Sequence, residues 1–367
     1  ANFGQKTLAY TPPSGYVALS TANLPDPAIP LPSAQFNTVL YTGDDGTSHA
    51  ITGVGHQPDF TWIKNRSATN NHILTDAVRG VTKTLLSDTT SAELTIAQGL
   101  KAFGSDGFTV GFDNTDIVNG ASNNYVAWNW KANGSGSSNS DGTITSTVSA
   151  NQTAGFSIVT FTVPGSNGNH TVGHGLGQIP ELILLKRRDS TSNWLVHALP
   201  VTPTVEDVLQ LNTTSAVIDA GSNQWGTALP TSSVFGVVSE NLVINNATYL
   251  AYCFASKPSF SKVGIYTGNG NASGPFINTG FKPAWVMYKR TDAVNDWLLF
   301  DNKRDVDNVA SLRLFPNQNY ADYTDARIDI LSNGFKVRAT TNDTNANGGT
   351  YLYLAFAESP QKTATAR

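Results

Sequence analysis

The sequence predicts an all-β protein made of three tandem antiparallel β-sandwich repeats of the lectin or jelly-roll kind, each about 100 residues long. Three observations predict it. A block of residues recurs three times in register. The centre of each block alternates at period two, as a half-buried strand does. Gly, Asn and Asp punctuate short apolar runs, and helical periodicity is weak.

The recurrence is anchored at Pro58, Pro180 and Pro283, each three residues after a glycine (Gly55, Gly177, Gly280). Two residues on stand Phe60, Leu182 and Trp285, and four residues on Trp62, Leu184 and Met287. Six on stands a lysine each time (Lys64, Lys186, Lys289), and fourteen on a ring (His72, Trp194, Trp297). Upstream lie Val39-Leu-Tyr-Thr-Gly43, Val159-Thr-Phe-Thr162 and Val263-Gly-Ile-Tyr-Thr-Gly268. Each copy closes on an aromatic strand: Tyr125-Val-Ala-Trp128, Tyr249-Leu-Ala-Tyr252 and Tyr353-Leu-Ala-Phe356. The proline-to-tyrosine spacings are 67, 69 and 70 residues.

A unit of this size is domain-sized, unlike a solenoid rung. Each copy is therefore expected to own its core, like beads on a string. The expected division is 1–35, the exit of an upstream domain plus linker; 36–132, the first repeat; and 133–142, a flexible linker rich in Gly, Ser and Asn. The second repeat then spans 143–257, the third 260–359, and a tail 360–367. Within the copies, Pro-x-Φ-x-Φ-x-Lys is a strand, with proline at its entrance because it cannot donate inside a ladder. Phe156–Val163, Asn241–Asn246 and Gly334–Arg338 also read as strands. Ser91–Gln98 is the best helical candidate, about two turns. The large residues after each proline belong to the core. The lysines pack their stems over its rim with the ammonium turned outward.

Composition narrows the function. Charged residues make up 14% of the chain, against about 25% in ordinary proteins. The surface is therefore mostly neutral and polar. A net charge of −4 provides no basic footprint for nucleic acid. No apolar stretch approaches the ~20 residues of a membrane-spanning helix. The one cysteine, Cys253, sits in an apolar run and reads as a small buried hydrophobe, without the second thiol an internal disulfide needs.

Catalytic patterns are sparse. Gly173-His-Gly-Leu-Gly177 lacks the helix a phosphate loop opens onto, and His170 and His174 read as solvent-facing loop residues. Asp44-Asp45 and Asp305/Asp307 are weak calcium candidates without the twelve-residue loop pattern; no other cofactor is expected. A glycosidase needs a carboxylate pair, yet no acidic residue recurs at one offset in all three copies. The expectation is a non-enzyme. Its ligand candidates are glycan contacts: Trp225 with Gln224 and Asn223 in a turn-like stretch, and Trp130, which closes the first copy where the others are aligned on Phe254 and Glu358.

The tandem Pro-x-Φ-x-Φ-x-Lys modules closing on Tyr-x-Ala-aromatic resemble modules of large structural proteins in tailed bacteriophages, marine and cyanobacterial ones especially. The first copy carries the fullest match, in Phe36–Gly43, Phe60–Arg66, Phe103–Val110 and Tyr125–Lys131. The second departs at Gln224-Trp-Gly-Thr-Ala228. The start, Ala1–Gln5 through Ala22–Pro25, is similar to the exit from a SPRY-type domain. The resemblance implies a component of the virion exterior, a tail fibre or appendage segment, with other virion proteins as partners and host-surface glycans as candidate contacts. It implies a homo-oligomer, a trimer by analogy, and no membrane insertion. The alternatives are a capsid decoration or spacer, a polysaccharide-degrading tailspike, and a bacterial surface adhesin.

Overall fold

The computed structural model describes residues 13–14, 23–112 and 115–364. The SPRY-like start, residues 1–5, lies outside them. Over the described residues the chain is all-β: antiparallel sheets, with a 3-10 turn at Pro32–Ala34 and a short helix at Asn342–Asn345.

One arrangement occurs three times. Strand Asn124–Trp130 lies between Phe36–Thr42 and Phe60–Asn65, with Trp130 opposite both Phe36 and Phe60. Strand Thr248–Phe254 lies between Phe156–Thr162 and Leu182–Arg187, with Phe254 opposite Phe156 and Leu182. Strand Thr350–Pro360 lies between Ser261–Thr267 and Phe281–Arg290, with Phe356 opposite Ser261 and Trp285. The sheets built on these trios have six, eight and four strands. Smaller sheets of three, two and four strands accompany them. Pro283 sits within its strand, at a register shift in the ladder, where its missing N–H is tolerated.

The pairing corrects the third copy's alignment by two residues. Tyr351, not Tyr353, is the counterpart of Tyr125 and Tyr249. Each of these hydroxyls accepts the backbone N–H five residues upstream, from Gly120, Ile244 and Ala346. Tyrosine recurs at period two in this strand, so the better letter match slid to the next tyrosine on the same face. The counterparts of Trp130 are thus Phe254 and Phe356, and not Glu358.

The expected beads are also corrected. All six residues of Phe60–Asn65 are buried, so the strand is covered on both faces. Ile63 joins a cluster local to the first segment. Phe60 and Trp62 join a cluster that also holds Phe156 and Tyr252 of the second segment and Trp285 and Phe356 of the third. Ring centroids meet across segments, Phe60–Tyr252 at 4.2 Å, Phe36–Phe356 at 4.8 Å and Trp130–Trp285 at 5.8 Å. The physical reason lies in the strand itself. Its Thr61, Ile63 and Asn65 side is covered within its own segment, whereas the large Phe60 and Trp62 rings lie on the opposite side, and a single sandwich buries only one of the two. The other face needs another segment.

Three smaller expectations change. Residues 133–142 are not an unstructured linker, because Ser137–Asn139 is a strand paired with Ser146–Asn151. Gly136 permits this: its φ is +79°, and a Cβ there would meet the Val148 carbonyl at 2.8 Å. Ser91–Gln98 forms no helix and contributes only the short strand Leu94–Thr95, paired with Lys83–Leu86. Asn241–Asn246 is a turn with a single bridge, Ser239 to Val243.

Candidate functional site

The polar groups of most consequence lie where segments meet. Asp76 and Arg79 of the first segment form an ion pair of 2.5 Å with both side chains fully buried. Tyr252 of the second segment donates its hydroxyl proton to Asp76 at 2.8 Å. Glu93 extends the network to Arg188 of the second segment at 2.9 Å. Burial opposes charge on Arg79, but Asp76 beside it holds the guanidinium above its usual pKa. Burial, then Asp76, pushes the Tyr252 hydroxyl well above the ordinary tyrosine range.

The junction between third and first segments repeats this. Asp301 and Arg304 pair at 2.6 Å, fully buried, and the Trp128 indole of the first segment donates to Asp301 at 3.1 Å. Asp322 bridges Arg304 at 2.8 Å and Arg66 at 2.7 Å. The junction between second and third segments is different. Ala198 stands opposite Leu182 as Asp76 stands opposite Phe60 and Asp301 opposite Trp285. Leu354 stands opposite Met287, where Tyr252 stands opposite Leu184 and Trp128 opposite Trp62. Where the buried carboxylate is missing, the ring hydrogen it would accept is missing too. A buried acceptor without its donor is costly, so the two change together.

The three lysines sit at the same junctions. Lys64, Lys186 and Lys289 are all fully buried, contrary to the expected outward-turned ammonium. The neighbouring segment covers the face along which they would escape. Lys186 donates to the Thr90 carbonyl of the first segment at 2.9 Å and to the Ser192 carbonyl. Lys289 donates to the Thr214 carbonyl of the second segment at 3.2 Å and to the Arg290 carbonyl at 2.6 Å. Lys64 donates to the Asn65 carbonyl at 2.6 Å. Burial pushes each ammonium down to about 8. The recurrent rings work beside them. Trp194 donates to the Leu86 carbonyl of the first segment at 2.7 Å, and Trp297 to the Gln210 carbonyl of the second at 3.0 Å. His72 accepts the Trp62 indole proton at 2.9 Å, and burial, then Lys64, holds its pKa well below the usual value, so it is neutral.

The proposed glycan platform is not present as expected. Trp225 is fully buried, with its ring 5.1 Å from His197 and its indole donating to the Asp207 carbonyl at 3.1 Å. Gln224 is buried and donates to Ser222. Asn223 is half-buried, and its carbonyl accepts from Asn241. Trp130 is buried in the shared cluster. Neither Trp225 nor Gln224 nor Trp130 offers a face to solvent. The turn-rich sequence around Trp225 concealed a ring that fills the second segment's own core.

The other candidates are likewise occupied by structure. His174 is buried, with Nε2 at 3.1 Å from the Thr231 carbonyl, rather than solvent-facing. His170 lies on strand Asn169–Gly173. Asp44 accepts the Gly46 N–H at 2.7 Å, and Asp305 accepts the Ser311 hydroxyl at 3.0 Å and the Leu312 N–H at 3.1 Å. Among the described residues no group of three or more His, Cys, Asp or Glu is placed to hold a metal. Cys253 is buried, and burial pushes its thiol up to about 12, so it is protonated at neutral pH.

An open polar cleft of about 590 Å³ lies between the first and second segments, lined by Gln35, Lys131, Asn133, Ser138, Asn151 and Gln152 among others. Sequence reasoning missed both this cleft and the junction networks. The cleft left no signal in the sequence. The networks did: Asp76 and Asp301 each stand 18 residues after their anchor prolines, with arginine three residues further. A test requiring acid in all three copies passes over a pair present in two.

The fold therefore defines an all-β chain whose three like segments are locked together through a shared aromatic core. A family model described as a domain of unknown function, DUF7483, matches residues 31–360, and the chain belongs to this family. The match runs through all three segments. No curated protein matches the chain. No helix among the described residues is long and apolar enough to cross a membrane.

Proposed function

We propose that the chain is three β-sandwich units closed into a ring, and that it serves as a non-enzymatic structural segment of a virion appendage on the particle exterior. The observation that carries this reading is the closure itself. The first segment is bonded to the second through Asp76–Tyr252, the second to the third through Lys289–Thr214, and the third to the first through Asp301–Trp128. A ring with its polar bonds and aromatic rings buried at every junction resists shear at each of them, which a load-carrying appendage requires. The family match across the whole trio supports treating it as one working unit. The sequence resemblance to phage structural modules supplies the location. In this reading the chain assembles as a homo-oligomer, a trimer by analogy, and other virion proteins are its partners.

Immunogold labelling of particles that carry this chain tests the reading. Gold on distal fibres is the expected result. Gold spread over the capsid replaces the appendage by a decoration role. No labelling of intact or opened particles rejects a virion location.

A further inference from the structure

We propose that the cleft between the first and second segments is a saccharide-binding site. This goes beyond the reading above and does not depend on where the chain resides. The argument begins with how the cleft is built. Phe36–Thr42 and Ser261–Thr267 are edge strands of their sheets, whereas the equivalent Phe156–Thr162 is covered by Ser146–Asn151, which Ser137–Asn139 extends in turn. This addition belongs to one segment only. It gives few side chains to the apolar core, and its open side carries hydroxyls and amides.

The walls are set from both segments. Asn151 donates to the Gln35 side-chain carbonyl at 2.6 Å and to the Lys131 carbonyl at 3.1 Å. Gln152 donates to the Gly175 carbonyl at 2.9 Å. Gly175 has φ +69°, and a Cβ there would press on Val148 at 2.9 Å, so glycine keeps this wall back. These bonds fix the amides before any ligand arrives, which lowers the ordering cost of binding. The Asn133 side-chain amide and the Ser137 hydroxyl line the same space, Ser137 on the strand face it shares with Val148, and neither has a hydrogen-bond partner among the described residues. Val148 and Ala150 add a small apolar strip.

The chemistry of this lining selects its ligand. An amide offers donors and an acceptor together, and a hydroxyl offers both in one atom. That set matches a ligand whose own groups are hydroxyls with aliphatic C–H faces between them. A volume of about 590 Å³ falls within the ordinary range for small-ligand sites, and an oligosaccharide segment suits it better than a flat apolar ligand. Lys131 is exposed and makes no ion pair among the described residues, so it is available to a sugar hydroxyl or a sugar carboxylate.

The test is titration of the full chain with maltohexaose and with hexagalacturonic acid, followed by amide chemical shifts and calorimetry. At least one hexasaccharide is expected to give saturable shifts confined to the cleft. Asn133 and Ser137 are both exposed, so the double variant Asn133→Ala/Ser137→Ala should fold normally and weaken binding about tenfold or more. Lys131→Gln should weaken the acidic probe alone, or neither probe if the ligand is neutral. Absence of binding by both hexasaccharides at millimolar concentration overturns the proposal, as does undiminished binding by the folded double variant. Binding without virion labelling leaves the cleft standing and removes the location; labelling without binding does the reverse.

Discussion

At the scale of single residues, burial decides what each group can do. Trp225 was legible as an aromatic in a turn-rich stretch, but its burial depended on a core the sequence does not display. Trp225→Ala is expected to cost about 3–5 kcal/mol of stability, as large aromatic truncations in cores do. Denaturant unfolding checks it, and a fully stable variant would restore Trp225 as a surface group. The lysines give a pH prediction. Burial penalises the ammonium, lowering each from 10.5 to about 8 in the folded chain. Between about 8 and 10 the unfolded chain therefore binds more protons, and stability rises with pH through that window. Above it the buried tyrosines, whose hydroxyls are shifted upward, reverse the trend. Urea unfolding at successive pH values should show the rise, and Lys→Met at positions 64, 186 and 289 should flatten it.

At the scale of elements, the strands themselves were largely readable. Period-two alternation after Pro58 and Pro180 found the Phe60–Asn65 and Leu182–Arg187 strands, and Gly334–Val337 was found between its turns. What the pattern could not show was that both parities of Phe60–Asn65 are covered, because covering comes from a segment far along the chain. The same distance hid the junction networks. Arg79→Ala should cost about 3–5 kcal/mol, since it leaves the Asp76 carboxylate buried without its cation. The triple variant Asp76→Ala/Arg79→Val/Tyr252→Leu copies the second junction with the third and should be more stable than Arg79→Ala alone. A triple variant that unfolds more readily than the single one would contradict this matching of partners. Residues 133–142 give a separate check. With Ser137–Asn139 paired as a strand, this stretch should resist brief proteinase K digestion, where a Gly/Ser-rich tether would be cut first.

At the scale of the whole molecule, the threefold recurrence was plain in the sequence, while its closure was not. The composition implied a neutral polar surface, but not where on it a cleft would form. Closure has a thermodynamic consequence. Phe60, Trp130, Phe156, Tyr252, Trp285 and Phe356 lie in one cluster, so no segment can lose its inner face without exposing its neighbours'. The segments should therefore melt together. Separate beads would melt as three units. Differential scanning calorimetry of the chain measures this directly. A single transition whose calorimetric and van't Hoff enthalpies agree is the result a shared core predicts. Three resolved transitions, or segments 36–132, 143–257 and 260–359 each folding stably when expressed alone, would contradict it.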